Sequence, residues 1–285
     1  MKEKIALMTD TVANLPESFI KENNIYVISL YVVVDEKYYK DGIDITPEDM
    51  FRLNDEDPSF SSKSASPSPD DFSKIFKQIK DDGYEKVIFI GMGSNLSSTI
   101  INSNIAEHHG LEVATIDSKT VTILEGLIVM YANDLLNSGT DFDTTVKKLN
   151  KAVGNSIAIG WINSLRYLKA GGRLGKAASK VSAVLNFKPF MSVDGNGEFD
   201  LYRLKVSKEK SYLETVKKVK EELAGKENYY MAYLYGNDIK ILDGVKSDLA
   251  NLEKNAKGVF EAPAGPVVAV HVGPKIYAVG YLLVD

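Results

Sequence analysis

The residues able to do chemistry in this chain gather where strand-like runs stop. The apolar run at 86–90 ends on Gly91 and continues as GMGSNLSST through Thr99. An earlier run ends at Thr9-Asp10-Thr11, and a later one at Asp117-Ser118. A fourth loop, SSKSASPSP at 61–69, carries the same small, hydroxyl-rich character, and its prolines limit its freedom. In open parallel sheets, ligands bind at the carboxyl ends of the strands. These ends offer hydroxyls, carboxylates and backbone amides. Helix capping accounts for each loop taken separately, because Ser, Thr and Asp are preferred caps.

The known phosphate and nucleophile motifs are absent. GMGSNLSST is not G-x-x-x-x-G-K-[ST], and Leu96 stands where G-x-G-x-x-G needs its third glycine. GGRLGKAAS also lacks the Walker spacing. Ser94 is flanked at two positions by Met92 and Leu96, so it is not a nucleophile elbow. What is left is a helix N-terminus with amides and hydroxyls and little positive charge close in sequence. Such a site suits one carboxylate or a neutral carbonyl oxygen better than a triphosphate.

Two residues of the second half add to this set. His271 lies between two Gly-Pro pairs in an otherwise apolar run, GPVVAVHVGPK. It reads either as a satisfied core histidine or as part of a polar site. His108 and His109 precede Gly110 at a helix end, where the helix dipole explains them. Arg173 follows Gly171-Gly172 on a sharp turn, well suited to a bidentate contact with a carboxylate or phosphate. Ser94, His271 and Asp10 could instead form a nucleophile, base and orienter for acyl hydrolysis or transfer.

The elements that must position these residues divide the chain in two. Strand-like and helix-like runs alternate through the first half, which predicts a mostly parallel sheet with helices on both faces. Asn14 and Pro16 read as the start of the first helix, Thr46 and Pro47 of the second, and PSPDDF of the third, closed by Gly83. In the second half, hairpins mix with Lys/Glu-laced amphipathic helices, and DGNGE reads as a hairpin turn. That predicts an α+β unit with a mixed sheet. The expected organisation is an N-terminal lobe over 1–154 and a C-terminal lobe over 155–285, divided near AVGNS.

Composition narrows the function. The chain has 285 residues, 44% hydrophobic, with no cysteine and three histidines. That excludes disulfides and thiolate metal sites and makes a histidine-rich metal site improbable. A net charge of −5 argues against nucleic acid as a general partner. No apolar run approaches the ~20 residues of a membrane span, and Asp10 behind the first short apolar stretch argues against a secretory signal. The expectation is a soluble, cytoplasmic monomer. Basic residues cluster from Arg166 through Lys188 and again from Arg203 to Lys210. They form either a solvated face or a docking patch for an anionic partner.

Ordered motifs carry a family resemblance over essentially the whole chain. They are TDT at 9–11, SASPSP at 64–69, GSNLSST at 93–99, IDSKTVTILEGL at 116–127, YLKAGGRLGKAA at 167–178, LNFKPF at 185–190 and GPVVAVHVGP at 265–274. In these the chain resembles the DegV family of bacterial fatty-acid-binding proteins, which includes the lipid-carrier subunits of fatty acid kinase. The resemblance implies two lobes with a long-chain fatty acid between them and no other cofactor. It implies that Ser64 and Ser94 hold the carboxylate and that His271 completes the network. Thr9, Asp10, Ser66 and Asn95, from the strand ends and hydroxyl-rich loops above, are further ligand-binding candidates. Arg173 and Arg203, with Lys205, would lie near the mouth, where the ATP-binding kinase subunit docks. The chain departs from the family pattern at Ala65 and Ser66, where Ser-Gln is usual, at Gly93 and Ser98, and at Lys275. A carrier of this kind is not an enzyme on its own.

Overall fold

The computed structural model describes residues 3–56, 61–174, 189–197, 199–203 and 207–285. The first half builds a four-stranded, wholly parallel sheet in the order β2-β1-β6-β7. Its strands are β1 (Ile5–Asp10), β2 (Tyr26–Ile28), β6 (Lys86–Gly91) and β7 (Glu112–Asp117). Both faces are covered, so β6 is apolar along nearly its whole length, as buried parallel strands are. Val87 and Phe89 point toward helices α3 (Pro69–Asp81) and α4 (Thr99–Ile105), in one core with Phe72, Phe76 and Ile100. Ile88 and Ile90 point the other way, toward α5 (Ile123–Asn137).

One β-rich apolar run divides between two sheets. In IYVISLYVVV, Tyr26–Ile28 joins the parallel sheet, but Tyr31–Val34 leaves it as β3. There it pairs antiparallel with β4 (Lys37–Lys40) and β5 (Lys63–Ala65). The break falls at Ser29-Leu30, where the Leu30 amide is taken by the Thr11 hydroxyl. This small sheet carries Ser64. Helix α1 (Glu17–Glu22) precedes it in sequence, and α2 (Pro47–Glu56) falls between β4 and β5. Asn14 does not cap α1. It sits in the left-handed region at φ 50° after a short 3-10 turn, Thr11–Ala13, and donates to the Pro263 carbonyl.

The second half builds a six-stranded mixed sheet, β10-β9-β8-β13-β11-β12. Its strands are β8 (Ser156–Ile162), β9 (Phe190–Asp194), β10 (Phe199–Arg203), β11 (Tyr229–Tyr235), β12 (Val259–Pro263) and β13 (Ile276–Leu283). Only β11 and β12 run parallel. The expected hairpin turn lies between β9 and β10, with Gly197 at φ 71°. Tyr229, Met231 and Tyr233 face α8 (Lys208–Glu222) and α9 (Ile241–Asn255), whereas Tyr230, Ala232 and Leu234 face the other way. This is the period-two alternation of a strand.

Helix α5 is the layer between the two sheets. Eleven of its residues are buried, from Ile123 through Leu135, as expected for a helix that is apolar on most sides. It touches β1 and β6 on one side and β11 and β13 on the other. Helix α6 (Phe142–Ala152) packs beside it and leads into β8. Buried residues of both sheets thus form one continuous core. Two further pieces matter for the site: the short α7 (Arg166–Ala170) and α10 (Pro266–Val272). Gly265 precedes α10, Pro266 sits at its first position, and Gly273 stops it at φ 75°. Although late in sequence, α10 packs on α2, β3 and β5 of the first half as well as on α7. No helix among the described residues is long and apolar enough to cross a membrane.

Candidate functional site

A cavity opens between the two halves. Its walls come from Val12, Leu30, Met92, Leu96 and Val121–Ile123 on one side and from β8, β9, α10 and β13 on the other. The empty space between them, counted out to the open mouth, is about 1050 Å³, and ligand pockets are commonly of this order. Most of the wall is aliphatic. Its polar residues are Thr122, Ser192 and Tyr277 and a cluster of Ser64, Ser66, Ser97, Arg173 and His271; Arg173 is the one charged side chain on the wall among the described residues.

Local sequence fixes each member of this cluster. Ser64 pairs with Val32 in the small sheet, which places it on β5. The chain then turns through Pro67 into α3, whose capping box joins Ser68 and Asp71 reciprocally. Asn102 on α4 donates to the Pro67 carbonyl at 2.7 Å and anchors the same turn. His271, near the end of α10, brings Nε2 to 2.8 Å from Ser64 Oγ. Ser66 Oγ lies 2.7 Å from Ser97 Oγ, which lies 2.8 Å from Thr99 Oγ1 and accepts from the Thr99 amide.

The tautomer of His271 follows from its surroundings. Nδ1 is buried with no hydrogen-bond partner among the described residues. A buried orphan N–H is rarer than an under-used acceptor, which places the proton on Nε2. Nε2–H then donates to Ser64, and the Ser64 hydroxyl is left to donate into the cavity. Gly171 explains why Nδ1 is sealed: a Cβ there would stand 2.1 Å from it. Burial first, and then the Arg173 guanidinium, push the imidazole down to about 4, so it is neutral at pH 7.

Arg173 is exposed at the edge of the cavity. Its Nε and Nη2 donate to the Leu96 carbonyl at 3.3 and 3.2 Å, and Nη1 donates to the Gly171 carbonyl at 2.6 Å. It therefore ties the turn after α7 to the loop after β6. The Arg203 side chain and the whole of Lys205 lie outside the described residues. Arg166 lies over the Tyr167 ring, 4.7 Å from its centroid.

Other expected ligand-binding residues stand elsewhere. Ser94 is exposed and off the cavity wall; its hydroxyl donates to Asp117 at 2.6 Å and its amide to the same carboxylate at 3.1 Å. The serine of this loop that faces the cavity is Ser97. The loop turns on hydrogen bonds from the Leu96 and Ser97 amides to the Gly93 carbonyl, which point the two serines apart. Asn95 donates across the halves to the Asn196 carbonyl at 3.2 Å. Thr9 and Asp10 are each 1% exposed and off the wall. Thr9 donates to Glu125, and Asp10 accepts from the amides of Val12 and Met92. Sequence gave one usable sign for Ser97, since Ser-x-Thr allows its hydroxyl to accept from an amide two residues on.

The hydrolytic arrangement is not assembled. Ser94 is on Asp117 and Asp10 on backbone amides, while His271 pairs with Ser64 and has no carboxylate on Nδ1 among the described residues. Among the described residues, no group of three or more acidic or histidine side chains could hold a metal ion.

Comparison with known proteins places this architecture. The sequence matches the family described as "Uncharacterised protein, DegV family" over residues 4–283. A DegV domain-containing protein of Clostridium acetobutylicum is 32% identical over 286 residues, covering 99% of each chain. One from Listeria monocytogenes is 30% identical over 96% of each. Among solved structures, a fatty-acid-binding DegV family protein from Streptococcus agalactiae superposes with a TM-score of 0.86 at 25% identity, covering 99% of this chain and 100% of the other. A stearic-acid-binding protein from Eubacterium ventriosum gives 0.87 at 24% identity, covering 99% and 98%. The match along nearly the whole sequence and the shared two-sheet fold make this chain a member of the DegV family.

Proposed function

We propose that this protein is a cytoplasmic carrier. It binds one long-chain fatty acid with its tail in the cavity and its carboxylate at the Ser64, Ser66, Ser97 and His271 end. It then presents that carboxylate to a separate ATP-dependent kinase subunit, which forms the acyl-phosphate. The carrier does no chemistry alone. The observation that carries the reading is the make-up of the cavity wall: mostly aliphatic, with one linked polar cluster of Ser64 and His271, Ser66 and Ser97, and the Arg173 guanidinium beside them. A carboxylate accepts hydrogen bonds only, and burying it is costly unless donors meet it. The Ser64 hydroxyl, freed by His271, is one donor, and the Ser66–Ser97 pair supplies another. Each buried methylene of the tail adds roughly 0.8 kcal/mol, which favours long chains. Relatives of this fold described as binding fatty acids, including stearic acid, support the same ligand class.

Denaturing extraction of the purified protein, followed by mass spectrometry of the lipid fraction, tests the ligand. The expected result is a fatty acid at one equivalent per chain, with a matching native mass. An empty protein that also refuses added fatty acids would sink the reading. Presentation is tested separately. Loaded protein, an ATP-dependent fatty acid kinase subunit and ATP should yield acyl-phosphate, and loaded protein with ATP alone should yield none.

A further inference from the structure

Next to the polar cluster lies a buried carboxyl pair that is not itself on the cavity wall. Asp10 closes β1 and Glu125 lies in the first turn of α5; they are 1% and 0% exposed. Asp10 Oδ1 accepts from the Val12 amide at 2.9 Å, and Oδ2 accepts from the Met92 amide at 3.0 Å. Val12 and Met92 both line the cavity. Glu125 Oε1 accepts from the Thr9 hydroxyl at 3.2 Å, while Oε2 has no hydrogen-bond partner among the described residues.

We propose that Asp10, backed by Glu125, is a positioning residue for the head-group end of the cavity: its carboxylate grips one amide on each of two cavity segments and so sets where Leu96 and Ser97 stand. The inference rests on the fatty-acid reading of the site. The loop from Gly91 to Ser97 is held at three successive points. Met92 N goes to Asp10, Gly93 N to the Thr120 carbonyl at 2.7 Å, and Ser94 to Asp117. The first hold is the only buried side chain among them. It is also the one that joins this loop to the 3-10 turn after β1. Leu96 then offers its carbonyl to Arg173 and Ser97 its hydroxyl to Ser66, so an error at Met92 moves both.

A carboxylate is better suited than an amide to this task, because it accepts at both oxygens. Asn in its place would turn an NH₂ toward one of the two amides. The grip depends on protonation for the same reason: a protonated carboxyl has one good acceptor oxygen. Burial pushes Asp10 up to about 7 against the pull of its two amides, and Asp41 after β4 pushes the same way. Burial, Asp10 and Asp117 at the end of β7 push Glu125 well above the usual carboxylate range, so Glu125 is the neutral member of the pair.

The test uses delipidated full-length protein, with palmitate and oleate as probes. Wild type should bind about tenfold more weakly at pH 6 than at pH 8. Asp10→Asn should bind about tenfold more weakly than wild type at pH 8, and its pH dependence should be shallower by the same factor. Hydrogen exchange should speed up at the Val12 and Met92 amides and leave the β11 amides unchanged. Glu17→Gln, at an exposed acid on α1 paired with Lys21, should stay within about twofold of wild type throughout. Wild-type affinity and pH slope in Asp10→Asn, with unchanged exchange at Met92, would overturn the inference. Should that variant fail to fold, a flat wild-type profile from pH 6 to 8 would overturn it equally. Failure of the fatty-acid reading looks different: wild type takes up neither probe, while Asp10→Asn still shows faster exchange at Met92.

Discussion

The front and back of the head-group end use different chemistry. The front, facing the cavity, is Ser64, Ser66, Ser97, His271 and Arg173: hydroxyls, a neutral imidazole and a guanidinium. The back is Asp10, Glu125, Asp41 and Asp117, all carboxyls, and none of them is on the wall. Donors face the place where an anion would sit. Acids stand off the wall and take backbone amides, as Asp10 does in the interior with Met92 and Asp117 does nearer the surface with Ser94. The difference teaches that an acid at a strand's carboxyl end can serve a binding site without touching the ligand.

The two faces should respond to acid with opposite signs, and this is the largest effect expected. His271 is held near 4, below its usual 6.5, so the unfolded chain binds more protons between those values. Its contribution, about 3 kcal/mol by the linkage relation, is present above pH 6.5 and lost as pH falls toward 4. Asp10 and Asp41 are raised from 3.8 to about 7 and about 6, so there the folded chain binds more protons. Their effect strengthens the fold as pH falls through 7 and 6 and weakens it as pH rises. Urea unfolding between pH 4.5 and 8 should therefore show His271→Gln losing less stability on acidification than wild type. Asp41→Asn should lose more. Parallel curves for all three proteins would erase the contrast between the faces.

The next effect breaks the front alone. Gly171 has an ordinary φ of −77°, so it is not there for backbone freedom. A methyl would meet the His271 ring at Nδ1. Gly171→Ala should cost about 1–3 kcal/mol, the usual range for overpacking. It should also push the imidazole off Ser64 and lower fatty-acid uptake. Gly172→Ala is a poor control because of its φ of 69°. Ala170→Ser, on the same turn, should leave uptake unchanged. Uptake equal to wild type in Gly171→Ala would show that the His271–Ser64 contact is dispensable.

How much of this was legible in sequence follows from the same contrast. The alternation of strands and helices in the first half gave the parallel sheet, because buried parallel strands are continuously apolar and their helices are capped. The bracketing Gly-Pro pairs singled out His271, although GPVVAVHV looks apolar enough to be a strand and is a helix. What sequence could not give was direction. Thr9, Asp10, Ser94 and Asn95 sit in the right loops, and position at a strand end brought them into the candidate set. Whether each side chain turns to the cavity or away depends on partners far along the chain, such as Asp117 for Ser94 and Asn196 for Asn95. The splitting of IYVISLYVVV had the same cause, since the capture of Leu30 by Thr11 is a tertiary event.

The smallest effects sharpen the contrast within one loop. Ser97→Ala removes a hydroxyl that faces the cavity and joins Ser66 to Thr99. Losing such a bond costs about 1 kcal/mol, so fatty-acid affinity should fall roughly fivefold. Ser94→Ala removes a hydroxyl only three residues away, bonded to Asp117 in solvent. Water can replace that bond, and the Ser94 amide keeps its own contact with the same carboxylate. Stability should change by less than about 0.5 kcal/mol, as for surface substitutions generally, and affinity should stay within about twofold. Titration of both variants with one fatty acid decides between the two serines. A larger loss in Ser94→Ala than in Ser97→Ala would mean that the loop turns over when ligand enters, with Ser94 leaving Asp117 for the carboxylate. Equal small losses would place the carboxylate nearer Ser64 and His271, with the 93–97 loop acting as wall.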